Sequence, residues 1–158
     1  MGRTENVAIF QDTERLCSTN IKLKESIKNS REGQKLILET DTITISSKEK
    51  YSENAKVIVS KKRSFEAAGA YKDMKVCVHN FASASHPGGG VTKGSSAQEE
   101  ALCRISSLYF CLNTNDMWGG FYKPHTNARN PIHNDDIIYT PEITVFKSDT
   151  NDPVLMDE

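Results

Sequence analysis

Residues 75–112 read KVCVHNFASASHPGGGVTKGSSAQEEALCRISSLYFCL, and the order of signals within them decides the fold. Lys75-Val76-Cys77-Val78-His79-Asn80-Phe81 opens with a compact apolar run, which predicts a strand. Pro87 followed by Gly88, Gly89 and Gly90 cannot sit inside a regular element, since proline lacks a donor N–H and three glycines carry a large entropic cost. They predict a loop whose backbone approaches something closely. Ser95 then stands as an N-cap with Gln98 three residues on, and Leu102, Ile105, Leu108 and Leu112 recur at helical spacing. That spacing predicts a helix with those four residues facing the core.

Upstream, Lys56-Val57-Ile58-Val59-Ser60 predicts a second buried strand, and the run from Ser64 to Tyr71 predicts a helix. Strand, helix and strand within about 30 residues is the βαβ order, which predicts a parallel pair in an α/β fold with ligand chemistry beyond the strands' carboxyl ends. Farther upstream, Leu36-x-Leu38 and Ile43-x-Ile45 read as short strands near an edge. Residues 5–27 read as one helix followed by a turn, with the break near Cys17-Ser18-Thr19-Asn20. Downstream, residues 113–134 are polar and turn-rich, with Trp118-Gly119-Gly120-Phe121-Tyr122 as an aromatic knot and Pro124 and Pro131 as punctuation, and they predict a long loop or lid. Residues 136–140 and 143–146 read as strand pieces split by Pro141, and residues 148–158 as a polar tail.

Composition narrows the functional classes. The chain has 158 residues, 20 Lys+Arg against 21 Asp+Glu and a net charge of −1, which argues against a charge-driven nucleic-acid binder. Its hydrophobic share of 37% with little net charge predicts a folded domain. The apolar runs fall far short of the roughly 20 residues of a membrane span. The first ten residues, MGRTENVAIF, lack the apolar core of a secretion signal, so the expected location is the cytoplasm. Cys17, Cys77, Cys103 and Cys111 form no CxxC pair and are expected to be reduced and mostly buried. His79, His86, His125 and His133 have no ligand-like spacing, so no metal or other cofactor is expected. Lys61-Lys62-Arg63 reads as a solvated cluster at a strand end or as a face for a ligand's phosphates, and Arg104, one turn beyond Glu100, either pairs with a carboxylate or reaches solvent.

The glycine loop can turn its N–H groups toward an anionic ligand, with the following helix dipole aimed at the same place. Glu99 and Glu100 in the first helical turn are the more specific feature. Adjacent carboxylates there stabilise a helix dipole, yet beside an anion loop they would repel the ligand unless they do chemistry.

Three glycines, seven residues and then Gln-Glu-Glu, following Asn80-Phe81-Ala82-Ser83-Ala84, resemble the signature of the microbial-type poly(ADP-ribose) glycohydrolase family, which is macrodomain-related. Pro87, Ala101-Leu102, Tyr139-Thr140-Pro141-Glu142 and Val145-Phe146 resemble family text in family order. The resemblance implies a macrodomain-like three-layer α/β/α fold with a mixed sheet. Residues 1–147 would be the N-terminal portion of its catalytic domain. Family members continue well past the equivalent of Phe146, so the chain is expected to be incomplete at its C-terminal side. The implied reaction is hydrolysis of the ribose–ribose O-glycosidic bond of ADP-ribose polymer, and the implied partners are poly(ADP-ribose), ADP-ribose and ADP-ribosylated proteins, with neither membrane nor direct nucleic-acid binding.

By the same resemblance, Glu100 corresponds to the general acid that an oxocarbenium-like cleavage needs. Glu99 corresponds to the residue orienting the ribose hydroxyls. Gly88, Gly89, Gly90 and Val91 correspond to the substrate-wrapping loop, and Asn80 and Gln98 to further substrate contacts, although an Asn at a strand end is also a turn former. Two alternatives are a hydrolase of single protein-linked ADP-ribose units and a non-catalytic ADP-ribose-binding module or inactive fragment.

Overall fold

The computed structural model describes residues 2–44, 53–71, 73–130 and 132–157. The expected strand around Ile43 ends at Ile45, outside them, as does Pro131, and Ile43 itself is exposed and in no strand.

The N-terminal region forms two helices rather than one, α1 (Arg3–Thr19) and α2 (Ile21–Glu32), separated at Asn20. Asn20 takes an extended backbone and its side chain accepts the Leu23 N–H at 3.1 Å, so the residue read as a breaker is an N-cap. Helix α1 buries Asn6, Phe10, Thr13 and Cys17 along one face.

Residues Lys35–Ile37 form β1, which pairs antiparallel with β2 (Ile137–Tyr139) in the register Leu36 opposite Ile138. Both fall within stretches that the sequence reads as strand pieces. Residues 56–60 and 75–81 form no strand, and among the described residues the sheet has these two strands only. The βαβ expectation is corrected accordingly. Val57 and Val59 are 87% and 91% exposed, and a parallel strand is stable only with both faces covered, which no described element does here. The α/β fold is therefore present in incomplete form.

The expected helix after residue 63 forms as α3 (Ser64–Ala68), continued by a 3-10 turn at Gly69–Tyr71. Its cap comes from far away, because Asp149 Oδ2 accepts the Phe65 and Glu66 N–H groups at 2.9 and 3.3 Å. The stretch read as a polar tail thus folds back on the domain, with a bridge between Lys147 and Leu155.

Leu102, Ile105, Leu108 and Leu112 are all buried, on two helices instead of one: α4 (Gln98–Ile105) and α5 (Leu108–Leu112). Ser106 and Ser107 interrupt them. Ser106 Oγ turns back to the Leu102 carbonyl at 2.7 Å, and residues 105–107 then exchange backbone bonds with residues 144–147. The second expected strand piece, 143–146, contributes this bridge at Val145 and no regular strand.

Residues 113–134 depart most from expectation. They fold into α6 (Asn115–Met117), a π-helical turn at Trp118–Tyr122 and α7 (Lys123–Ala128). Thr114 caps α6, and Pro124 stands at the start of α7, into which the π-helical turn runs without a break. The aromatic knot supplies the rest, since Met117, Phe121 and Tyr122 pack against Leu36 and Ile138 of the sheet. A second cluster, Phe10, Val91, Leu102, Cys103, Leu108 and Leu112, joins α1 to α4 and to the end of the glycine loop.

Candidate active site

The loop is shaped by its glycines. Gly88 and Gly89 have φ of +67° and +57°, in the left-handed region that side chains disfavour. A Cβ on Gly88 would meet the Tyr109 ring at 2.7 Å, one on Gly89 would meet Glu100 Oε1 at 2.6 Å, and one on Gly90 would collide with the Ser95 hydroxyl. Neighbouring side chains, Tyr109, Glu100 and Ser95, thus occupy the space that a Cβ on each glycine would need.

All four N–H groups from Gly88 to Val91 donate within the protein. Gly88 N–H reaches Glu99 Oε1 at 3.2 Å and Gly90 N–H reaches Glu100 Oε1 at 2.9 Å, while Gly89 and Val91 close tight turns onto the His86 and Gly88 carbonyls. Here the loop grips the two carboxylates rather than turning its N–H groups to an anionic ligand.

Glu99 and Glu100 are 3% and 7% exposed, and a buried carboxylate needs donors. Glu99 has three: Ser83 N–H at 2.7 Å on Oε2, Gly88 N–H on Oε1, and Asn80 Nδ2 at the long limit of 3.5 Å on Oε1. Ser83 is presented by a small turn in which its own hydroxyl accepts the Ser85 and His86 N–H groups. Burial raises the Glu99 pKa above the ordinary carboxyl value; the Ser83, Asn80 and Gly88 donors pull it down and the Glu100 charge adds to the rise. Glu100 differs, because its Oε2 has no hydrogen-bond partner among the described residues.

Gln98 stands where the sequence placed it, in the first turn of α4, but its amide is fully engaged by protein. Its Oε1 accepts the Phe81 N–H at 2.7 Å, and its Nε2 donates to the His79 carbonyl at 2.8 Å and to Ser64 Oγ at 2.9 Å. These bonds staple residues 79–81 to α4 and bring Asn80 beside Glu99. Asn80 Oδ1 is buried without a partner among the described residues, an acceptor that native structures seldom leave idle. Val91 is fully buried in the core and anchors the loop instead of facing it outward. The Tyr122 hydroxyl is also buried with no partner among the described residues, and burial, with the Glu99 charge adding, pushes its pKa well above the ordinary tyrosine value.

Several site residues escaped the sequence reading. Asn6 Nδ2 donates to the Gly94 carbonyl at 3.0 Å, where Gly94, at φ +75°, lies too close to the Arg3 backbone to carry a Cβ. Ser95, read as a helix cap, instead packs its hydroxyl on Gly90, and α4 begins behind Ala97 without a side-chain cap. A signal existed for Asn6 and Thr13: polar residues recurring on the buried stripe of an amphipathic helix require a partner. Ser83 acts through its backbone N–H, which no residue pattern announces. Among the described residues, no group of three His, Cys, Asp or Glu side chains could hold a metal ion.

These features define an α/β domain in which a triple-glycine loop encloses paired carboxylates at the start of a helix. No curated protein sequence matches the chain. The chain belongs to the microbial-type PARG, catalytic domain, family, which it matches over residues 4–148. It is similar to the crystal structure of poly(ADP-ribose) glycohydrolase from Thermomonospora curvata, with a TM-score of 0.75 and 25% identity over 96% of this chain and 61% of that one. The same enzyme bound to the inhibitor ADP-HPD gives 0.72 and 27%, covering 92% of this chain and 56% of that one. A glutamate-to-alanine mutant of it gives 0.75 and 26%, covering 98% and 59%. The chain therefore spans about 60% of the length of these structures. Among the described residues, no helix is long and apolar enough to cross a membrane.

Proposed function

We propose that this chain carries the carboxylate and glycine-loop part of a poly(ADP-ribose) glycohydrolase, with Glu100 as the general acid. The observation that carries the reading is the asymmetry between the two buried carboxylates. Every oxygen of Glu99 already accepts N–H bonds, which fix it in place, whereas among the described residues Glu100 keeps Oε2 unbonded. Of the two, Glu100 is the one able to hold a proton and pass it to a substrate oxygen without first breaking a protein bond.

In the reaction, Glu100 protonates the departing ribose oxygen as the bond to the anomeric carbon breaks. Water then adds to the oxocarbenium-like carbon, and the proton it sheds returns to Glu100. Glu99 has a remaining lone pair on Oε2 for a ribose hydroxyl, and its charge steadies the developing cation. Asn80 Oδ1 is a second acceptor for a hydroxyl. Gly88, Gly89 and Gly90 serve by lacking side chains that would collide with Tyr109, Glu100 and Ser95, so that the loop closes over the carboxylates beside the substrate, while Gln98 and Val91 hold the frame. The partners are poly(ADP-ribose), ADP-ribose and ADP-ribosylated proteins, and the setting is the cytoplasm, in keeping with four free thiols.

The test is calorimetric titration with ADP-ribose together with polymer hydrolysis, for the wild-type chain and Glu100→Gln. Turnover should drop by about 10²–10⁴-fold while binding holds within a few-fold. Persistent turnover in the variant would refute the assignment of Glu100. Binding without turnover in the wild-type chain would make it an ADP-ribose-binding module, and release of ADP-ribose from singly modified protein but not from polymer would point to a mono-ADP-ribosyl hydrolase.

A further inference from the structure

Arg104 neither reaches solvent nor joins a carboxylate. It is 5% exposed, and among the described residues no acidic oxygen lies within 4.0 Å of it. A buried guanidinium with no carboxylate in contact is rare and costly, so its hydrogen bonds state its purpose. Its Nη1 donates to the Ser95 carbonyl at 2.6 Å. Ser95 in turn donates its N–H to the Gly90 carbonyl at 3.1 Å and lays its hydroxyl against Gly90. Gly90 N–H donates to Glu100 Oε1 at 2.9 Å. Glu100 and Arg104 lie one turn apart on α4, so the chain of contacts leaves the helix at Arg104 and re-enters it at Glu100. The backbone of Arg104 is itself pinned, since Thr13 Oγ1 of α1 donates to its carbonyl.

We propose that Arg104 is a positioning residue for Glu100: its guanidinium fastens the 90–95 turn through the Ser95 carbonyl and so holds Gly90 N–H on the Glu100 carboxylate. A hydrophobic side chain of equal length would fill the same volume and leave the turn unfastened. Burial above all, with Arg63, pulls the guanidinium below its ordinary pKa, and the charge of Glu100 acts against that pull. The activity arm of the test rests on the proposed role of Glu100, and the exchange arm does not.

The experiment is amide hydrogen exchange by NMR on the 158-residue chain and on Arg104→Met and Arg104→Lys. Gly90 and Ser95 N–H should exchange at least about tenfold faster in Arg104→Met, with Leu102 and Cys103 of α4 nearly unchanged, and Arg104→Lys should recover most of the protection. Unaltered Gly90 exchange in a folded Arg104→Met would overturn the proposal. Should that variant not fold, the wild-type chain still decides, because an immobilised guanidinium gives resolved, slowly exchanging Nη1 protons, and a single averaged resonance would overturn the proposal. Where the wild-type chain turns over polymer, Arg104→Met should lower kcat about tenfold or more with KM little changed, restored in part by lysine. A change confined to KM would also overturn it. If wild-type turnover is absent, the glycohydrolase reading falls and the exchange result alone settles the role of Arg104.

Discussion

Alanine at Gly89 would place its methyl 2.6 Å from Glu100 Oε1 and 3.2 Å from Glu99 Oε2, on a backbone with φ of +57°. Three effects follow, and their magnitudes fix the outcome. Holding an L-residue in the left-handed region costs about 1–2 kcal/mol. Pushing Glu100 Oε1 aside breaks its bond from Gly90 N–H, and losing a hydrogen bond to a charged group costs about 1.5–3 kcal/mol. Against these stands a gain of about 0.4–1 kcal/mol from a stiffer unfolded chain. The balance is a loss of about 2–4 kcal/mol. At about 2–4 °C per kcal/mol for a chain of this length, the melting temperature should fall by roughly 5–15 °C. Calorimetric melting of Gly89→Ala beside Gly69→Ala makes the comparison decisive. Gly69 has φ of −61° and open space where its Cβ would go, so the same added methyl should leave that variant unchanged or raise it by roughly 1–3 °C. A Gly89→Ala chain melting with the wild type would show that the loop does not enclose the carboxylates as described.

The raised pKa of Glu99 ties stability to pH. For a carboxyl raised in the folded state, the contribution to stability is complete below the ordinary value of 4.5 and is lost as pH climbs through the folded pKa, so the margin of wild type over Glu99→Gln should shrink across that rise; a margin that grows with pH would refute the sign. Thiol titration with a disulfide reagent should find one fast group, exposed Cys77, and three slow ones that react after unfolding, since burial lifts Cys17 to about 12, Cys111 to about 11 and Cys103 well above its ordinary value. Threonine at both Val57 and Val59 should leave the melting temperature nearly unchanged, because both side chains face solvent, while sedimentation velocity should show less concentration-dependent association.

What the sequence disclosed and what it withheld divide by range of interaction. The triple glycine, Glu99 and Glu100 were legible because turn chemistry and first-turn carboxylates act over a few residues. So were the four leucine and isoleucine positions of α4 and α5, although the break between them depends on Ser106 meeting Val145, 39 positions on. The helical character of residues 115–128 was hidden. Its sequence is polar and carries two adjacent glycines, and its order comes from packing Phe121 and Tyr122 onto a sheet whose strands lie on either side of it in the chain. Residues 56–60 and 75–81 have β-prone composition, but strand formation needs partners and cover, which propensity does not supply. At the site, the carboxylates were readable and their holders were not, because Asn6, Arg104 and the staple from Gln98 act through backbone groups of distant segments.

The bracing of the glycine loop by α1 sets an order of events during synthesis. Asn6 and Gly94 are separated by 88 positions, Thr13 and Arg104 by 91, and Lys147 closes onto Ile9 across 138. A ribosome working at about 5–20 residues per second completes α1 roughly 4 to 18 s before the residues it must brace emerge. Through that interval Phe10 and Thr13 lack their α4 partners and Cys17 lacks Cys111 of α5, and no carboxylate site exists. The buried Lys147 ammonium, bonded to Ile9, Thr13 and Asp12 of α1, arrives last and latches a helix that was made first.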